Sequence, residues 1–232
     1  MTSERKGKKV VFVIVEGETD ATAIGQMFTR VFDSHTVRVE IMHKDITADS
    51  SVYPSNIVEK VASYVRNYAK AQFSFTPNDF ACIIHITDTD GAFVNSDVVV
   101  QDESCENVVY TPTQIRTKDK AGIEKRNAHK RENLRKLISV NKIWRIPYSV
   151  YFMSCNLEHV LFNEMNCSRK EKIDKSINFS KRYRDCIEQF EDFILNSDFS
   201  VNAQYRQSWE YIAEGVRSLE RHTNLGLCFS LK

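Results

Sequence analysis

Two groups of acidic residues each come directly after an apolar stretch of the sequence. The stretches are residues 9–15 (KVVFVIV) and 80–87 (FACIIHIT), and the acids behind them are Glu16, Glu18, Asp20, Asp88 and Asp90. Carboxylates that crowd together without a cation raise one another's pKa, whereas a bound divalent cation makes such a cluster favourable. Oxygen ligands select hard cations such as Mg²⁺ or Mn²⁺, which act on phosphate esters by activating water and neutralising charge. The pattern therefore favours metal-dependent chemistry on a phosphate ester, provided that the fold brings both groups together.

The elements that must position these acids alternate between strand and helix. Continuous β-branched runs at residues 9–15 and 80–87 are typical of strands covered on both faces, and residues 37–42 (VRVEIM) alternate like another strand. Residues 144–153 (WRIPYSVYFM) predict a fourth strand, with Pro147 at a sheet edge or a strand start. Apolar residues recur at helical spacing after the first and second strands. This β-α-β-α-β order predicts an α/β fold with a doubly wound parallel sheet.

Parallel strands place their carboxyl ends along one crevice, so we expect the two acidic groups to meet there. Simpler explanations stay open for each residue. Glu16 and Asp20 suit the start of a helix, where acids cap free amides and complement the helix dipole. Asp88 and Asp90 also suit a D-G turn.

The two motifs together resemble the Toprim (topoisomerase–primase) domain, whose hallmark is an acidic E-G turn after the first strand and a D-x-D after a later one. Glu16 with Asp20 matches the first motif, and Asp88-x-Asp90 matches the second. More narrowly, VEGETD resembles the E-G-x-T-E/D turn of Toprim nucleases in the overcoming-lysogenization-defect (OLD) and RloB-like groups. The resemblance covers roughly residues 9–165. It implies a Rossmann-like core of four parallel strands flanked by helices.

The resemblance also implies roles for individual residues. The implied catalytic residues, which would also hold Mg²⁺ or Mn²⁺, are Glu16, Asp88 and Asp90. Asp20 stands where a ligand to a second metal would be. Residues 154–162 (SCNLEHVLF) resemble the glutamate-bearing helix of RloB-like proteins, which adds Glu158 as a metal ligand. An acid in a first helical turn is also ordinary helix chemistry, so this last assignment keeps both explanations open.

Proteins of these groups are metal-dependent nucleases that hydrolyse phosphodiester bonds of DNA or RNA, and they often serve in bacterial defence against phage beside an ATPase. The sequence has no G-x-x-x-x-G-K-[ST] motif, so any ATPase would be a separate subunit. Two other functions stay open. One is a non-catalytic Toprim-like module that binds nucleic acid or serves as a scaffold. The other is a phosphatase, because D-T-D-G resembles the nucleophile turn of haloacid dehalogenases, although that turn normally follows the first strand and here follows the third.

A cationic stretch separates the D-x-D motif from the fourth strand. Residues 116–136 contain nine lysines and arginines against three acids. Such a stretch either coats an exposed helix or holds a nucleic-acid backbone over the metals through salt-dependent, sequence-independent contacts. The candidate nucleic-acid contacts are Lys118, Lys120, Lys125, Arg126, Lys130 and Arg131. A basic residue here would also stabilise charge at the reacting phosphate.

The composition is that of an ordinary globular protein, with 232 residues, 42% apolar residues and a net charge of +1, so any basic surface must be local. We expect a Toprim-like domain at residues 1–166, with a basic insertion at about 112–142, and a helical extension at 167–232 that packs on it. The cysteines include no C-x-x-C pair, which favours reduced thiols. We find neither a signal peptide nor a membrane span, so the cytoplasm is the expected location.

The C-terminal part predicts two amphipathic helices from apolar residues at helical spacing. These residues are Ile173, Ile177, Tyr183, Ile187, Phe190 and Ile194, followed by Trp209, Ile212, Val216 and Leu219. The aromatic residues Phe179, Tyr183, Phe190 and Phe193 are expected in the core. His85 is also expected in the core, because it lies within a strand rather than at its end. Cys155 and His159 alone do not make a zinc site.

Overall fold

The structure, a computed structural model, describes residues 8–42, 45–72 and 75–232, so that the first seven residues of the predicted domain lie outside the described part. Its strands are β1 (Val10–Val15), β2 (Thr36–Ile41), β3 (Phe80–Asp88), β4 (Val99–Gln101), β5 (Val109–Tyr110), β6 (Ile115–Thr117), β7 (Lys142–Ile143), β8 (Ile146–Ser154) and β9 (His222–Thr223). Its helices are α1 (Glu18–Val31), α2 (Ile57–Ala71), α3 (Lys120–Ile138), α4 (Leu157–Phe162), α5 (Arg169–Tyr183), α6 (Ile187–Leu195) and α7 (Tyr205–Ile212).

The central sheet has the strand order β2-β1-β3-β8, and these strands all run parallel. Strands β7 and β9 pair with β8 in the antiparallel direction. The predicted strand at 144–153 begins later than expected, at Ile146, because Trp144 and Arg145 both have positive φ and form the turn from β7 into β8. Helices cover both faces of the sheet. The predicted α/β class with a parallel sheet is therefore confirmed.

Burial on both faces explains the continuous apolar runs of β1 and β3. In β1, Phe12 and Ile14 pack with residues of α2, α3 and α7, whereas Val11 and Val13 pack with α1, α5 and α6. All side chains of β1 are buried. Strand β1 lies directly beside β3, in parallel register. The residue that follows β1, Glu16, therefore comes out beside the carboxyl end of β3.

The C-terminal part contains more helices than the two predicted. Among the described residues after 167 the chain forms α5, α6, α7 and a 3₁₀ helix at Leu225–Leu231. The predicted core positions Ile173 and Ile177 are 43% and 38% exposed, because Phe179 and Tyr183 form the buried face of α5 and the isoleucines lie beside it. Aromatic residues of α5 and α6 share a core with β1, and β9 pairs with β8, so this part packs on the sheet. None of the helices in the described ranges has the length and apolar character needed to cross a bilayer.

Candidate active site

Acidic side chains meet at the carboxyl ends of β1 and β3. One carboxylate oxygen of Glu16, Oε1, accepts hydrogen bonds from the Thr87 hydroxyl at 2.8 Å and from the backbone N–H of Asp88 at 3.2 Å. Oδ1 of Asp88 accepts a hydrogen bond from the backbone N–H of Leu157, 2.9 Å away at the start of α4. These bonds tie β1, β3 and α4 together through two carboxylates. The structure thus brings together the ends of the two acidic motifs that the sequence singled out.

Asp90 lies in a tight turn just beyond β3. Asp90 and Gly91 both have positive φ, so the D-G turn considered from the sequence is present. A side chain at position 91 would clash, since a Cβ there would lie 2.7 Å from Leu219 and 2.8 Å from Ile115. The backbone N–H of Asp90 donates to the carbonyl of Cys155 at 2.8 Å. The backbone of the turn is therefore held in place by this hydrogen bond, and the carboxylate of Asp90 faces α3.

A buried lysine joins Asp90 to an acid that the sequence analysis did not identify. Nζ of Lys130, on α3, lies 2.6 Å from Oδ2 of Asp90 and 2.6 Å from Oδ2 of Asp45. The Lys130 side chain is 0% exposed. Asp45 also accepts a bond from the backbone N–H of Thr47 at 2.8 Å, which closes an Asx turn. Two features of the sequence could have indicated Asp45. The predicted second strand ends shortly before it, and D-x-T is typical of an Asx turn.

Asp20 and Glu158 lie at helix starts, as the simpler explanation expected, and both remain near the cluster. Oδ2 of Asp20 accepts from the backbone N–H of Gly17 at 3.0 Å, so Asp20 caps α1. Glu158, on α4, is 2% exposed and lies 3.0 Å from Nζ of Lys172 on α5. Glu158 acts electrostatically on both Asp20 and Asp88. We call the set formed by Glu16, Asp20, Asp45, Asp88, Asp90, Glu158 and Lys130 the acid cluster.

Burial and mutual repulsion dominate the electrostatics of the acid cluster. Burial raises the pKa of Glu16 and of Asp88 well above their usual range, and the neighbouring acids raise both further. Burial and the charge of Glu158 raise the pKa of Asp20 to about 6. Burial also opposes ionisation of Lys130, but the attraction of Asp45 and Asp90 outweighs it and raises the lysine pKa. A further positive charge placed near Glu16 and Asp88 would therefore be stabilising.

The donor set of the acid cluster fits a hard divalent cation, because it consists of carboxylate oxygens and is rich in negative charge. The arrangement is not preformed for one: across residues 8–42, 45–72 and 75–232, no group of three or more His, Cys, Asp or Glu side chains is placed to hold a metal ion. Several carboxylate oxygens have other partners instead. Oδ1 of Asp88 is bonded to a backbone N–H, and Oδ2 of Asp90 is bonded to Lys130. Binding of Mg²⁺ would require some of these side chains to rotate.

A polar cleft of about 800 Å³ opens above Asp88 and Asp90. One wall comes from the loop that leads into β5, and the other from the segment between α4 and α5. Asn166 ties the walls together, since it accepts from the backbone N–H of Tyr110 at 2.9 Å and donates to the Tyr110 carbonyl at 2.7 Å. The basic residues of the cleft are Arg116, Arg169 and Lys172. The acidic residues Glu106 and Glu171 line the cleft as well, so its charge is mixed.

The six predicted nucleic-acid contacts do not share one surface. Lys118 and Lys125 are exposed, and Lys120 and Arg131 are partly buried. Lys130 lies inside the acid cluster rather than on the helix surface, because two carboxylates hold its ammonium.

Arg126 is partly buried beside the cluster. Its guanidinium donates to the Tyr110 hydroxyl at 2.9 Å and to the Asp90 carbonyl at 3.0 Å. Arg126 thus supports the turn that carries Asp90, in addition to any contact with a ligand.

The histidines of this region are structural. His85 is fully buried, and burial lowers its pKa to about 4, as expected for a core residue. Its Nδ1 lies 2.8 Å from the Tyr148 hydroxyl. His159 accepts a hydrogen bond from the backbone N–H of Cys155 at 3.1 Å. All six cysteines are free thiols.

Comparisons with protein-family models, with curated proteins and with solved structures found no match to this chain.

Proposed function

We propose that the protein is a divalent-metal-dependent nuclease that hydrolyses phosphodiester bonds. The observation that supports this proposal is the meeting of Glu16, Asp88 and Asp90 at the carboxyl edge of a parallel sheet, at the base of a polar cleft. Ligands of open α/β sheets bind at this edge. The motif resemblance to Toprim nucleases supports the same conclusion independently of the geometry. The proposed roles in defence against phage and beside an ATPase rest on that resemblance alone.

Each acidic residue of the site has a proposed role in metal binding. Glu16, Asp88 and Asp90 would hold Mg²⁺ or Mn²⁺, and by the resemblance Asp20 and Glu158 would be further metal ligands. The bound ion would activate water and neutralise charge on the phosphate. Thr87 and the backbone N–H of Asp88 orient Glu16, and they leave its second carboxylate oxygen available.

Cations of the chain itself stabilise negative charge around the site. Lys130 pairs with Asp90 and Asp45, so it is our candidate for the group that stabilises charge on the reacting phosphate. Arg116, Arg169 and Lys172 line the cleft and would attract the phosphates on either side, Arg116 and Lys172 while paired with Asp102 and Glu158. The exposed residues Lys118 and Lys125 would add salt-dependent affinity for a long polyanion.

A cleavage assay tests this proposal. Wild-type protein is incubated with single-stranded DNA, duplex DNA, structured RNA and tRNA, with Mg²⁺, Mn²⁺ or EDTA. We expect cleavage that requires the metal and that falls at least about 100-fold in Glu16→Gln and Asp88→Asn, while binding of the polymer persists. Glu132→Gln on the exposed side of α3 is the matched control and should cleave like wild type.

The other outcomes separate the alternatives. Binding without cleavage in any metal, unaffected by Glu16→Gln and Asp88→Asn, would contradict the nuclease and support a non-catalytic module. Release of inorganic phosphate from small phosphomonoesters, abolished by Asp88→Asn, would instead support the phosphatase.

A further inference from the structure

A second pocket, of about 360 Å³, lies beside the acid cluster on α3. The loop between β2 and α2 forms one side of the pocket, and successive turns of α3 form the other. The residues that matter here are Ser50, Tyr53, Lys125, Arg126 and His129. The volume lies within the range of about 300–1,000 Å³ that is typical of small-ligand sites. The roles proposed above for the cleft do not use this pocket.

Tyr53 gives the pocket an exposed aromatic surface. Its side chain is 51% exposed, which is unusual for a large ring. The ring meets the His129 ring edge to face, with the centroids 5.3 Å apart and the planes at 86°. Aromatic rings placed beside cations bind unpaired bases by stacking, with little dependence on sequence. Lys125 and Arg126 supply such cations on the facing helix.

The loop that carries Tyr53 is held against α3 by buried groups. The side-chain amide of Asn133, which is fully buried, donates to the carbonyls of Thr47 at 3.0 Å and Val52 at 2.9 Å. Nε2 of His129 lies 2.9 Å from the carbonyl oxygen of Asp49 and donates to it. The aromatic ring is therefore presented on a fixed frame. A ligand that stacks on it loses less free energy to ordering of the protein.

Arg126 forms a shared wall between this pocket and the cleft. Its guanidinium bonds to the Asp90 carbonyl and to the hydroxyl of Tyr110, which lines the cleft. One turn further along α3, Lys130 contacts the carboxylate of Asp90. The pocket and the cleft are therefore adjacent, on either side of Arg126.

We propose that this pocket is a nucleotide subsite, in which one unpaired base of a single-stranded nucleic acid stacks on Tyr53 while its phosphate contacts Lys125. The proposal rests on the nuclease function proposed above, and it narrows the substrate to polymers with single-stranded segments. Bases within a duplex are covered by their neighbours and present no free face for stacking.

Binding measurements test the subsite. The anisotropy of fluorescently labelled single-stranded oligonucleotides is measured in EDTA with wild type, Tyr53→Ala, Tyr53→Phe and Lys125→Ala. We expect Tyr53→Ala to weaken binding about 5- to 100-fold, as for loss of one stacked base, and Tyr53→Phe to bind within about twofold of wild type. Lys136→Ala removes the same charge as Lys125→Ala from the exposed end of α3 and should bind like wild type.

Oligonucleotides that contain 2-aminopurine give a second readout, because stacking quenches this base. Quenching by wild type and Tyr53→Phe but not by Tyr53→Ala would support the subsite. Equal single-strand binding by wild type and Tyr53→Ala would overturn it, and so would duplex binding as tight as single-strand binding.

The two proposals fail in different ways. Cleavage that Tyr53→Ala leaves unchanged in both KM and kcat would contradict the subsite and retain the nuclease. Tyr53-dependent binding without cleavage in any metal would retain the subsite and contradict the nuclease. If wild type bound no nucleic acid, both proposals would be wrong.

Discussion

Replacing the buried lysine of the acid cluster tests the electrostatics of the site. Lys130 is fully buried, and its ammonium lies 2.6 Å from an oxygen of Asp45 and 2.6 Å from an oxygen of Asp90. Lys130→Met keeps most of the side-chain volume but removes the charge. Two largely buried carboxylates then lose the cation that they share. We expect the variant to fold with a markedly lower free energy of unfolding at neutral pH.

The size of the expected decrease in the free energy of unfolding follows from the distances between the charges. Opposite unit charges 2.6 Å apart attract by about 6 kcal/mol at an effective dielectric constant of 20. The cost of burying the ammonium offsets much of this attraction, and removing one partner from a buried pair destabilises proteins by about 3–5 kcal/mol. The side chains of Asp45 and Asp90 are each 22% exposed, so water reaches them. We therefore expect the free energy of unfolding to fall by about 3 kcal/mol, the lower end of this range.

The loss should also depend on pH. Burial alone would raise the pKa of Asp45, but Lys130 outweighs burial and lowers it. In wild type this pair therefore contributes stability above the usual Asp pKa of about 4, and that stability is lost as pH falls through the lowered pKa. In Lys130→Met the attraction of the lysine is gone and only the hydrogen bonds from Thr47 oppose burial, so the variant gains less stability than wild type as pH rises through about 4. The difference between the proteins should be largest at neutral pH and smallest in acid.

Urea unfolding followed by circular dichroism, at pH 7.5 and pH 3 in EDTA, measures both effects. Lys136→Met, on the exposed end of the same helix, is the matched control and should change the free energy of unfolding by less than about 0.5 kcal/mol. A loss below about 1 kcal/mol for Lys130→Met at neutral pH would refute the assigned ion pairs. An equal loss at both pH values would refute the pH argument.

Three further measurements test other parts of the structure. In EDTA, the Tm of wild type should fall as pH rises above the usual Asp pKa of about 4, because the raised pKa of Asp88 favours its protonated form in the folded protein. Asp88→Asn should reduce this fall, and Mg²⁺ should reverse it only in wild type. Asn133→Ala leaves two buried carbonyls without a donor and should lower the free energy of unfolding by about 2–3 kcal/mol, whereas an effect below about 0.5 kcal/mol would contradict the loop anchoring. Phe179→Ala should cost about 3–4 kcal/mol, whereas Ile173→Ala should cost less than about 1; similar losses would contradict the position of α5.

The sequence was sufficient to predict the central sheet and the meeting of Glu16 with Asp88. Both acids come directly after apolar runs that only a doubly buried strand explains, so topology alone brings them together. Asp45 gave a weaker pattern, because β2 is partly exposed and several residues separate its end from the acid. The sequence indicates a short strand at residues 97–100, where β4 lies, whereas β5 and β6 have two and three residues and are too short for periodicity to reveal.

The role of α3 could not be predicted because its buried face is polar. Besides Ile123, Leu134 and Leu137, this face includes Asn127, Lys130 and Asn133. Hydrophobic periodicity does not detect such a face, so the helix resembles a solvated, basic one. Each of the buried polar residues has a specific partner: Asn127 bonds to the Gly91 carbonyl, Lys130 to two carboxylates and Asn133 to the loop before α2. A polar face of this kind is expected where a helix packs against a site rather than against a core.

Lys130 divides the acid cluster into two sets with opposite electrostatics. Asp45 and Asp90 share its ammonium, and this pairing holds α3 and the Tyr53 loop against the sheet. Glu16 and Asp88 accept hydrogen bonds from neutral donors, and burial raises the pKa of both. A divalent cation held by Glu16, Asp88 and Asp90 would replace protons on the second set and share Asp90 with Lys130, so its affinity should rise with pH. On the proposed function, the pairing of Lys130 with Asp45 would keep the framework of the neighbouring pocket in place when a metal binds.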